Sequence, residues 1–398
     1  CRRFSRAKMS YELDLKKLKV LPLAERKSLA TIEETLVEPT SPAPACDEFT
    51  SELIDRCVND IIRAIERKAS VMLIYGAHLI KNGGQMLLNQ IMDRGLITHL
   101  ATNGAGIIHD WEFSFHGKST ESVRDNVATG TFGTWNETGL HIHQALLLGG
   151  VKGFGFGKSI GKLTYEDGGQ IPEPDELEQL IRDEPGHPLT PARVELMQTI
   201  REFGWNPGPL ILFHKYRNTS PLAQAYRHEV PFTVHPGIGY DIITNHPVFN
   251  GAAIGRGAGI DFRVFSNSVA NLEGGVVLNI GTAIMGPQVF EKSLSCVNNL
   301  RLNDGKPVLN NHSIYVVDLQ DGGNWDWTKG EPPIENPAYY LRFCKSYSRM
   351  GGQMHYVQCD NVCFLHNLFH RLESKLGRTA SKEDIPNIGE PDPAPRWA

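Results

Sequence analysis

Residues 71–110 have the sequence VMLIYGAHLIKNGGQMLLNQIMDRGLITHLATNGAGIIHD, and this stretch decides the fold class. It holds two apolar runs, Val71–Tyr75 and Ile97–Ala101, and each run ends in a short loop that contains glycine. Because a stretch with helical periodicity lies between them, the pattern predicts two neighbouring strands of a parallel α/β sheet. Both loops follow the carboxyl ends of strands, where open parallel sheets bind ligands. We predict that these loops bind a cofactor, the alternative being two ordinary tight connections.

Apolar runs and helical stretches also alternate in the rest of the chain. Further strands are predicted at Val230–Val234, Val276–Ile280 and Ser313–Val317. Helices are predicted at Phe49–Lys68, Ser119–Gly130, Pro191–Phe203, Phe262–Leu272, Ala338–Met350 and Phe364–Lys375. This alternation favours an α/β fold with one Rossmann-like, mostly parallel sheet and helices on both faces.

The chain divides into three predicted parts. Residues 1–48 form an N-terminal extension and linker, since the prolines of TSPAPA at 40–45 disfavour helix. Residues 49–375 form the α/β domain. Residues 376–398 are rich in proline and charge, which is typical of a disordered tail.

Composition excludes several classes of protein. A net charge of -5 gives no electrostatic basis for binding nucleic acid. No window approaches the run of about 20 apolar residues that spans a membrane. No apolar stretch follows the N-terminal basic residues, so a secretory signal is not expected. The 7 cysteines lack the spacing of a disulfide framework, which predicts reduced thiols and a cytoplasmic protein.

A glycine-rich segment, GFGFGKS at 153–159, resembles a phosphate-binding P-loop. That motif requires glycine at position 152, where this chain has Lys152, and no strand pattern precedes it. The segment is therefore predicted to be either a flexible surface loop or a lid over an active site. As a lid, it would bring Lys152 or Lys158 to an anionic group.

Histidines offer a possible metal site. His141 and His143 are two residues apart, and His109 could join them in space. Two histidines at this spacing share a face only in a strand, and no carboxylate pair completes the set. We predict no metal site and expect these histidines to pair with backbone or substrate.

Three other positions suggest amine chemistry. Asp241 follows a predicted strand and could hold a cationic substrate, unless it only stabilises a turn or caps a helix. The aromatic and acidic run Trp325-Asp326-Trp327 suits an alkylammonium group, although a packed aromatic loop would have the same composition. Lys345 on a predicted helix could attack an imine or a carbonyl, the alternative being a solvated lysine.

The order of several blocks resembles deoxyhypusine synthase, and more closely the bacterial deoxyhypusine synthase-like proteins, over most of residues 50–375. The blocks are YGAHLIKNGG at 75–84, ATNGAGIIHD at 101–110, VHPGIGYD at 234–241, NLEGGVVLNIGT at 271–282 and YVVD at 315–318. The resemblance implies an NAD-binding sheet in a homotetramer with active sites between subunits. It also implies that NAD oxidises a polyamine such as spermidine and that a lysine captures the aminobutyl group as an imine. The group then passes to a protein lysine (peptidyl-lysine modification) or, in homospermidine synthases, to a small diamine.

The resemblance also implies roles for individual residues. Lys345 would be the catalytic nucleophile, in the sequence Phe343-Cys344-Lys345 instead of the family's tryptophan-glycine-lysine. Asp241 matches the family's aspartate that holds the polyamine. His235 and Glu273 are expected to replace polar contacts of the family that this chain lacks, and Trp325, Asp326 and Trp327, which stand in place of a glutamate-rich loop, are expected to contact the substrate too. NAD would contact Gly76, Ala77, His78, Thr102, Asn103, Gly104, Asp318, Asp360 and Asn361. His109 stands where the family has an acidic residue.

The sequence thus predicts an alkyl-group transferase that uses NAD to move an aminoalkyl group from a polyamine to an amine acceptor. One alternative is an NAD-dependent oxidoreductase or a metal-assisted hydrolase using His109, His141 and His143. The other is a catalytically silent protein that binds NAD or a polyamine. The expected partners are a small amine, further copies of the chain in a tetramer and, where the acceptor is a protein, that acceptor, but neither nucleic acid nor membrane.

Overall fold

A six-stranded parallel sheet organises the chain in this computed structural model, which describes residues 12–377. Its strands are β1 (Val71–Tyr75), β2 (His99–Asn103), β3 (Phe232–His235), β4 (Val276–Ile280), β5 (Ser313–Asp318) and β6 (Gln353–Gln358). They lie in the order β6-β5-β4-β1-β2-β3, and all neighbours are parallel. The predicted α/β class and parallel sheet are therefore confirmed.

This strand order is the 3-2-1-4-5-6 arrangement of doubly wound sheets. β1 and β4 are neighbours at the centre, with Tyr75 opposite Ile280 at their carboxyl ends. The chain runs outward from each of them in opposite directions. A crevice consequently opens beyond the carboxyl ends near the centre, which is where such sheets bind ligands.

The central strands are apolar because both of their faces are covered. All residues of β1 and β4 are buried. Alternate side chains enter two cores: Leu73 and Tyr75 pack on one face of the sheet, and Met72 and Ile74 pack on the other. The pleat of each strand sends successive side chains to opposite faces, so a strand between two helical layers has no polar side.

Helices form the two outer layers. They are α1 (Ile32–Thr35), α2 (Glu48–Glu66), α3 (Ala77–Lys81), α4 (Gln85–Asp93), α5 (Gly104–His116), α6 (Val123–Thr129), α7 (Asn136–Gly150), α8 (Phe156–Tyr165), α9 (Pro174–Asp183), α10 (Thr190–Phe203), α11 (Pro221–Arg227), α12 (Gly251–Ala270), α13 (Met285–Asn303), α14 (Arg342–Ser348) and α15 (Asn361–Lys375). Helices α13 and α14 pack on one face of the sheet, and α2, α4, α5 and α15 pack on the other. Two small antiparallel pairs complete the fold, Ala30–Thr31 with Lys118–Ser119 and Gly168–Ile171 with Gly208–Ile211. Among residues 12–377, no helix combines the length and apolar character that crossing a membrane requires.

The glycine-rich segment is a packed element, so both interpretations given to it are wrong. Helix α8 begins inside it at Phe156. A β-carbon on Gly155 would overlap the Asp261 carboxylate, and one on Gly157 would overlap the carbonyl of Phe232. These glycines allow close packing of α8 against β3 and α12, which fixes the segment instead of leaving it free to move as a lid.

The segment predicted as an N-terminal extension packs against the main body. Leu21 exchanges backbone hydrogen bonds with Thr134 and Asn136 at 2.9 and 2.8 Å. Leu23 and Ile32 are buried in the same core as β1. The division at residue 48 stays a prediction, and the predicted tail lies outside the described residues from position 378 onward.

Candidate functional site

A cavity of about 940 Å³ lies beyond the carboxyl edge of the sheet. Its walls include Asn103 from the end of β2, His235 from the end of β3, and Gly281 and Thr282 directly after β4. The first turns of α5 and α13 complete it. Ligand cavities in proteins typically measure about 300–1,000 Å³, so this one can hold a large ligand or two smaller ones.

Asp241 places a carboxylate in the wall of this cavity. The side chain is buried, and its Oδ2 accepts a hydrogen bond from the Gly237 N–H at 2.9 Å. It lies against the first residue of α5, where a β-carbon on Gly104 would overlap it. Burial raises the pKa of Asp241 to about 6, so the group is mainly ionised at neutral pH. A buried anion beside open space is suited to a cationic ligand.

A buried chain of hydrogen bonds forms the opposite wall. Arg26 and Glu112 form a bidentate pair, with N–O distances of 2.6 and 2.9 Å, and both side chains are 1% exposed. The hydroxyls of Ser119 and Thr138 donate to Glu112 at 2.6 and 2.9 Å. Nδ1 of His109 lies 2.7 Å from the Ser119 hydroxyl. His109 and Glu112 share one face of α5, and Arg26 reaches them from the N-terminal segment.

Two histidines in the wall are neutral at physiological pH. Burial lowers the pKa of His109 to about 4 and that of His235 to about 4. Nε2 of His235 lies 3.1 Å from the Thr233 hydroxyl. Neutral imidazoles can accept as well as donate hydrogen bonds, which charged ones cannot.

The remaining wall is cationic. Lys81 from α3 and Lys292 from α13 line it, and among residues 12–377 Lys81 has no ion-pair partner. Helix α13 begins after Ile284, and most of its first turn is not open to an anion, because Gly286 donates its N–H to the Thr282 hydroxyl at 3.2 Å, Pro287 has no N–H and Gln288 donates to the carbonyl of Ile284 at 3.3 Å. The cavity lining therefore combines lysine side chains with hydrogen-bond acceptors, and Lys81 is near enough to His109 to contribute to the lowering of its pKa, of which burial is the main cause.

The predicted cofactor residues after β1 and β2 pack mainly against protein. A β-carbon on Gly76 would overlap the carbonyl of Gly281, so the loop containing Gly76, Ala77 and His78 closes against the loop after β4. Thr102 donates to the carbonyl of Tyr75 at 2.9 Å. Asn103 caps α5 by accepting from the Gly106 N–H at 2.8 Å, and of these residues it is the one that lines the cavity.

The other predicted cofactor residues lie on the β5–β6 side of the edge. Asp360 caps α15 through the N–H groups of Val362 and Cys363 at 2.9 and 3.0 Å. Asn361 presses against Gly281, and its Oδ1 is buried without a partner among the described residues. Asp318 accepts from the Gln320 N–H at 3.1 Å. The structure does not bring these side chains into the cavity wall.

Lys345 also lies outside the cavity wall. It is half-buried on α14, and its Nζ is 3.2 Å from the centre of the Tyr339 ring. Helix α14 packs against α13, the helix whose first turn lines the cavity. Tyr347 of α14 donates to Asn279 of β4 at 2.9 Å.

The remaining predicted substrate residues contact nearby parts of the protein and do not line the cavity. Trp327 is buried in the core, and Trp325 donates its indole N–H to the carbonyl of Gly330 at 2.9 Å. Asp326 accepts from the N–H and hydroxyl of Thr328 at 3.0 and 2.6 Å. Glu273 precedes β4 and therefore lies at the opposite edge of the sheet, exposed and 3.9 Å from Arg301. Neither the Trp-Asp-Trp run nor Glu273 joins the cavity.

His141 and His143 lie on helix α7 and not on a strand. Nδ1 of His141 pairs with Gln144 and Nδ1 of His143 pairs with the carbonyl of Gly139, each at 2.7 Å. No set of three or more histidine, cysteine or acidic side chains in residues 12–377 could hold a metal ion.

Sequence reasoning missed Arg26, Lys81, Glu112 and Ser119. The spacing of His109 and Glu112 could have predicted that they lie together, since residues three apart share a helix face. Nothing in the sequence paired Arg26 with Glu112, because 86 residues separate them.

Stability is expected to fall on acidification below about pH 6.5. Burial lowers the pKa of six histidines to about 3 or 4, namely His99, His109, His143, His235, His246 and His312. Between about pH 4 and 6.5 these groups take up protons mainly when unfolded, so their contribution to stability is lost as pH falls. Burial raises the pKa of Asp110, Asp241 and Asp261 to about 7, 6 and 7, which opposes this trend with fewer groups.

Urea unfolding at about pH 6.5 and 5 measures this effect. Each net proton taken up by the unfolded chain changes the free energy of unfolding by about 1.4 kcal/mol per pH unit. A lower value at pH 5 is expected. Equal or higher stability at pH 5 would show that the carboxyls dominate.

Comparisons with known proteins give no family assignment. No protein-family model and no curated protein matches the chain. Three solved structures resemble part of its backbone. AgrE bound to ornithine and NAD+ has 13% sequence identity and a TM-score of 0.39 over 83% of this chain. A LOR/SDH-type protein from Methanococcus maripaludis S2 has 13% identity and a TM-score of 0.41 over 90%, and a deoxyhypusine synthase candidate from Entamoeba histolytica has 11% identity and a TM-score of 0.35 over 84%. The matched regions are 34%, 77% and 91% of those chains, so this chain spans about a third of AgrE. At such similarity, the assignment to the doubly wound α/β class rests on the strand order described above.

Proposed function

We propose that the chain is an NAD-dependent enzyme that acts on an amine. The supporting observation is the composition of the cavity beyond the central strands. Its lining includes the ammonium group of Lys81 and the buried carboxylate of Asp241. A dinucleotide carries phosphate charge and an amine carries the opposite charge, so these two groups suit the two reactants.

The residues present fit a dinucleotide in part. Lys81, an ammonium group in the cavity lining without an ion-pair partner among the described residues, would pair with the pyrophosphate. When bound, NAD+ would accept a hydride from the carbon next to the amine nitrogen, while the protein supplies binding and orientation.

The amine would bind at Asp241. Its carboxylate is fixed by the Gly237 N–H and by close packing against Gly104, so it does not have to reorganise when a cation arrives. Hydrogen bonds between ionised groups are stronger than neutral ones, and burial reduces competition from water.

A turnover assay tests this proposal. The purified protein is incubated with NAD+ and, in turn, with spermidine, putrescine, agmatine and diaminopropane, and NADH is followed by absorbance. Formation of NADH with at least one amine is expected. Absence of NADH with every amine would contradict the proposed function.

The same proposal extends to transfer of an aminoalkyl group through Lys345. After oxidation, the Lys345 amine would form an imine with the aminoalkyl group and release the rest of the polyamine. An acceptor amine, either a small diamine or a protein lysine, would then displace the lysine, and the new imine would be reduced to a secondary amine with the hydride taken up in the oxidation. Support comes from the sequence resemblance and from the packing of α14 on α13 beside the cavity.

Lys345→Ala is therefore expected to abolish transfer and to retain NADH formation. Borohydride trapping followed by mass spectrometry should show an adduct on Lys345 in the natural chain and none in the variant. The exposed Lys306 provides the matched control, because Lys306→Ala removes a lysine beyond the C-terminal end of α13, away from the cavity. Transfer that survives in Lys345→Ala would end the covalent proposal.

A further inference from the structure

We infer that His109 presents a bare Nε2 to the cavity and that this nitrogen selects ligands carrying N–H or O–H donors. The assignment concerns the amine site of the proposed function, on which it rests for the identity of the ligand alone. It follows from the direction of the hydrogen bonds that start at Arg26.

The direction is set by the ion pair. Arg26 can only donate, and its two N–H groups engage both oxygens of Glu112 at 2.6 and 2.9 Å. Although burial alone would raise the pKa of Glu112, the charge and hydrogen bonds of Arg26 outweigh it and lower that pKa. Glu112 is thus a carboxylate, which accepts hydrogen bonds and donates none.

The Ser119 hydroxyl, which lies between Glu112 and His109, fixes the direction of the hydrogen bond to the histidine. Its hydroxyl has one proton, which it donates to Oε2 of Glu112 at 2.6 Å, and the residue is fully buried. With that proton used, the Ser119 oxygen can only accept from Nδ1 of His109, 2.7 Å away. Thr138 donates to the other carboxylate oxygen at 2.9 Å, so that oxygen needs no further partner.

The proton of the neutral imidazole therefore lies on Nδ1. Burial lowers the pKa of His109, so a second proton is not expected near neutral pH. Since His109 lines the cavity and Nδ1 is engaged, Nε2 is the nitrogen left for a ligand, and it carries a lone pair.

The chemical class of the ligand follows from this. Nε2 of His109 and the carboxylate of Asp241 are both acceptors on the same cavity, so a ligand with several N–H donors satisfies both. An anionic oxygen facing Nε2 would be repelled by the lone pair. The Arg26 charge is already matched by Glu112, which leaves Lys81 as the cation for a phosphate.

The tautomer can be measured directly by NMR of protein labelled with 15N-histidine. The His109 signals are those missing from the His109→Phe variant. We expect a protonated Nδ1 and an unprotonated Nε2 in the natural chain, and a loss of this preference in Ser119→Ala. Ser122→Ala, which removes an exposed helix cap, should leave the spectrum of His109 unchanged. A protonated Nε2, or an unaltered tautomer in Ser119→Ala, would overturn the inference.

Ligand selection is tested by calorimetric titration with putrescine. His109→Phe should weaken putrescine binding by about 10-fold, the loss of one buried hydrogen bond, while His109→Gln, which keeps an acceptor near the same place, should lose less. Unchanged putrescine affinity in His109→Phe would contradict ligand selection by this residue. If the natural chain binds no amine, the proposed function fails, and the NMR result still decides the tautomer.

Discussion

Replacing Arg26 by methionine is expected to lower the free energy of unfolding by about 3–5 kcal/mol. The substitution keeps most of the side-chain volume and leaves Glu112 as a buried carboxylate without its cation. Both partners are 1% exposed, so water cannot replace the guanidinium. Losing the guanidinium should also weaken the contact between the N-terminal segment and α5, since Arg26 joins these two parts of the chain.

Urea unfolding measures this change, and two variants interpret it. Lys306→Ala breaks an exposed pair with Asp304 and should cost at most about 1 kcal/mol. Arg26→Met combined with Glu112→Gln removes both charges and should recover part of the loss. A cost below about 1 kcal/mol for Arg26→Met would mean that the pair does not hold these segments together.

Asp241→Asn is expected to reduce amine turnover by about 10- to 100-fold, mainly through a higher KM. The substitution preserves shape but removes the charge that would pair with an ammonium group, and a charge-assisted hydrogen bond contributes about 1.5–3 kcal/mol. Asparagine can still accept from the Gly237 N–H, so the local turn should persist. NADH formation at several putrescine concentrations gives KM and kcat separately.

Glu273→Gln is the matched control for Asp241→Asn. It makes the same chemical change at the opposite edge of the sheet, where Glu273 is exposed beside Arg301. Its KM should equal that of the natural chain. A similar KM in both variants would show that Asp241 does not hold the amine.

The central sheet could be predicted from sequence because strands buried on both faces are continuous apolar runs. The predicted and observed bounds agree to the residue for two strands, Val71–Tyr75 and Val276–Ile280. Strand β6 was missed because its apolar run is short: His355 interrupts it, and the exposed Gln353 and Gln358 stand at its ends. β3 is also an edge strand, but Phe232, Thr233 and Val234 are all buried, and the run that contains them was recognised.

The prediction for the glycine-rich segment was wrong for a different reason. Glycine in sequence suggests flexibility, but Gly155 and Gly157 are required here by contact with Asp261 and Phe232. Their partners lie on α12 and β3, about 75–105 residues further along the chain. No local pattern distinguishes a glycine that packs from a glycine that bends.

The candidate site was predictable only where it follows a strand. Asp241 was named from its position after a strand, Asn103 and His235 were named through the resemblance, and all three line the cavity. The chain from Arg26 through Glu112 to His109 depends on a contact between distant segments. Lys345 was named from its residue type and from the resemblance, and the Trp-Asp-Trp run was named from its composition. In a single chain both lie outside the cavity wall.

Calorimetric titration of NAD+ into the purified protein tests the central claim most directly, because it asks whether the cavity holds the cofactor without requiring a substrate. We predict saturable binding in the natural chain, binding about 10-fold weaker in Lys81→Gln, where a phosphate loses its cation, and unchanged binding in Glu273→Gln. Absence of binding, or equal affinity in Lys81→Gln and the natural chain, would contradict the account.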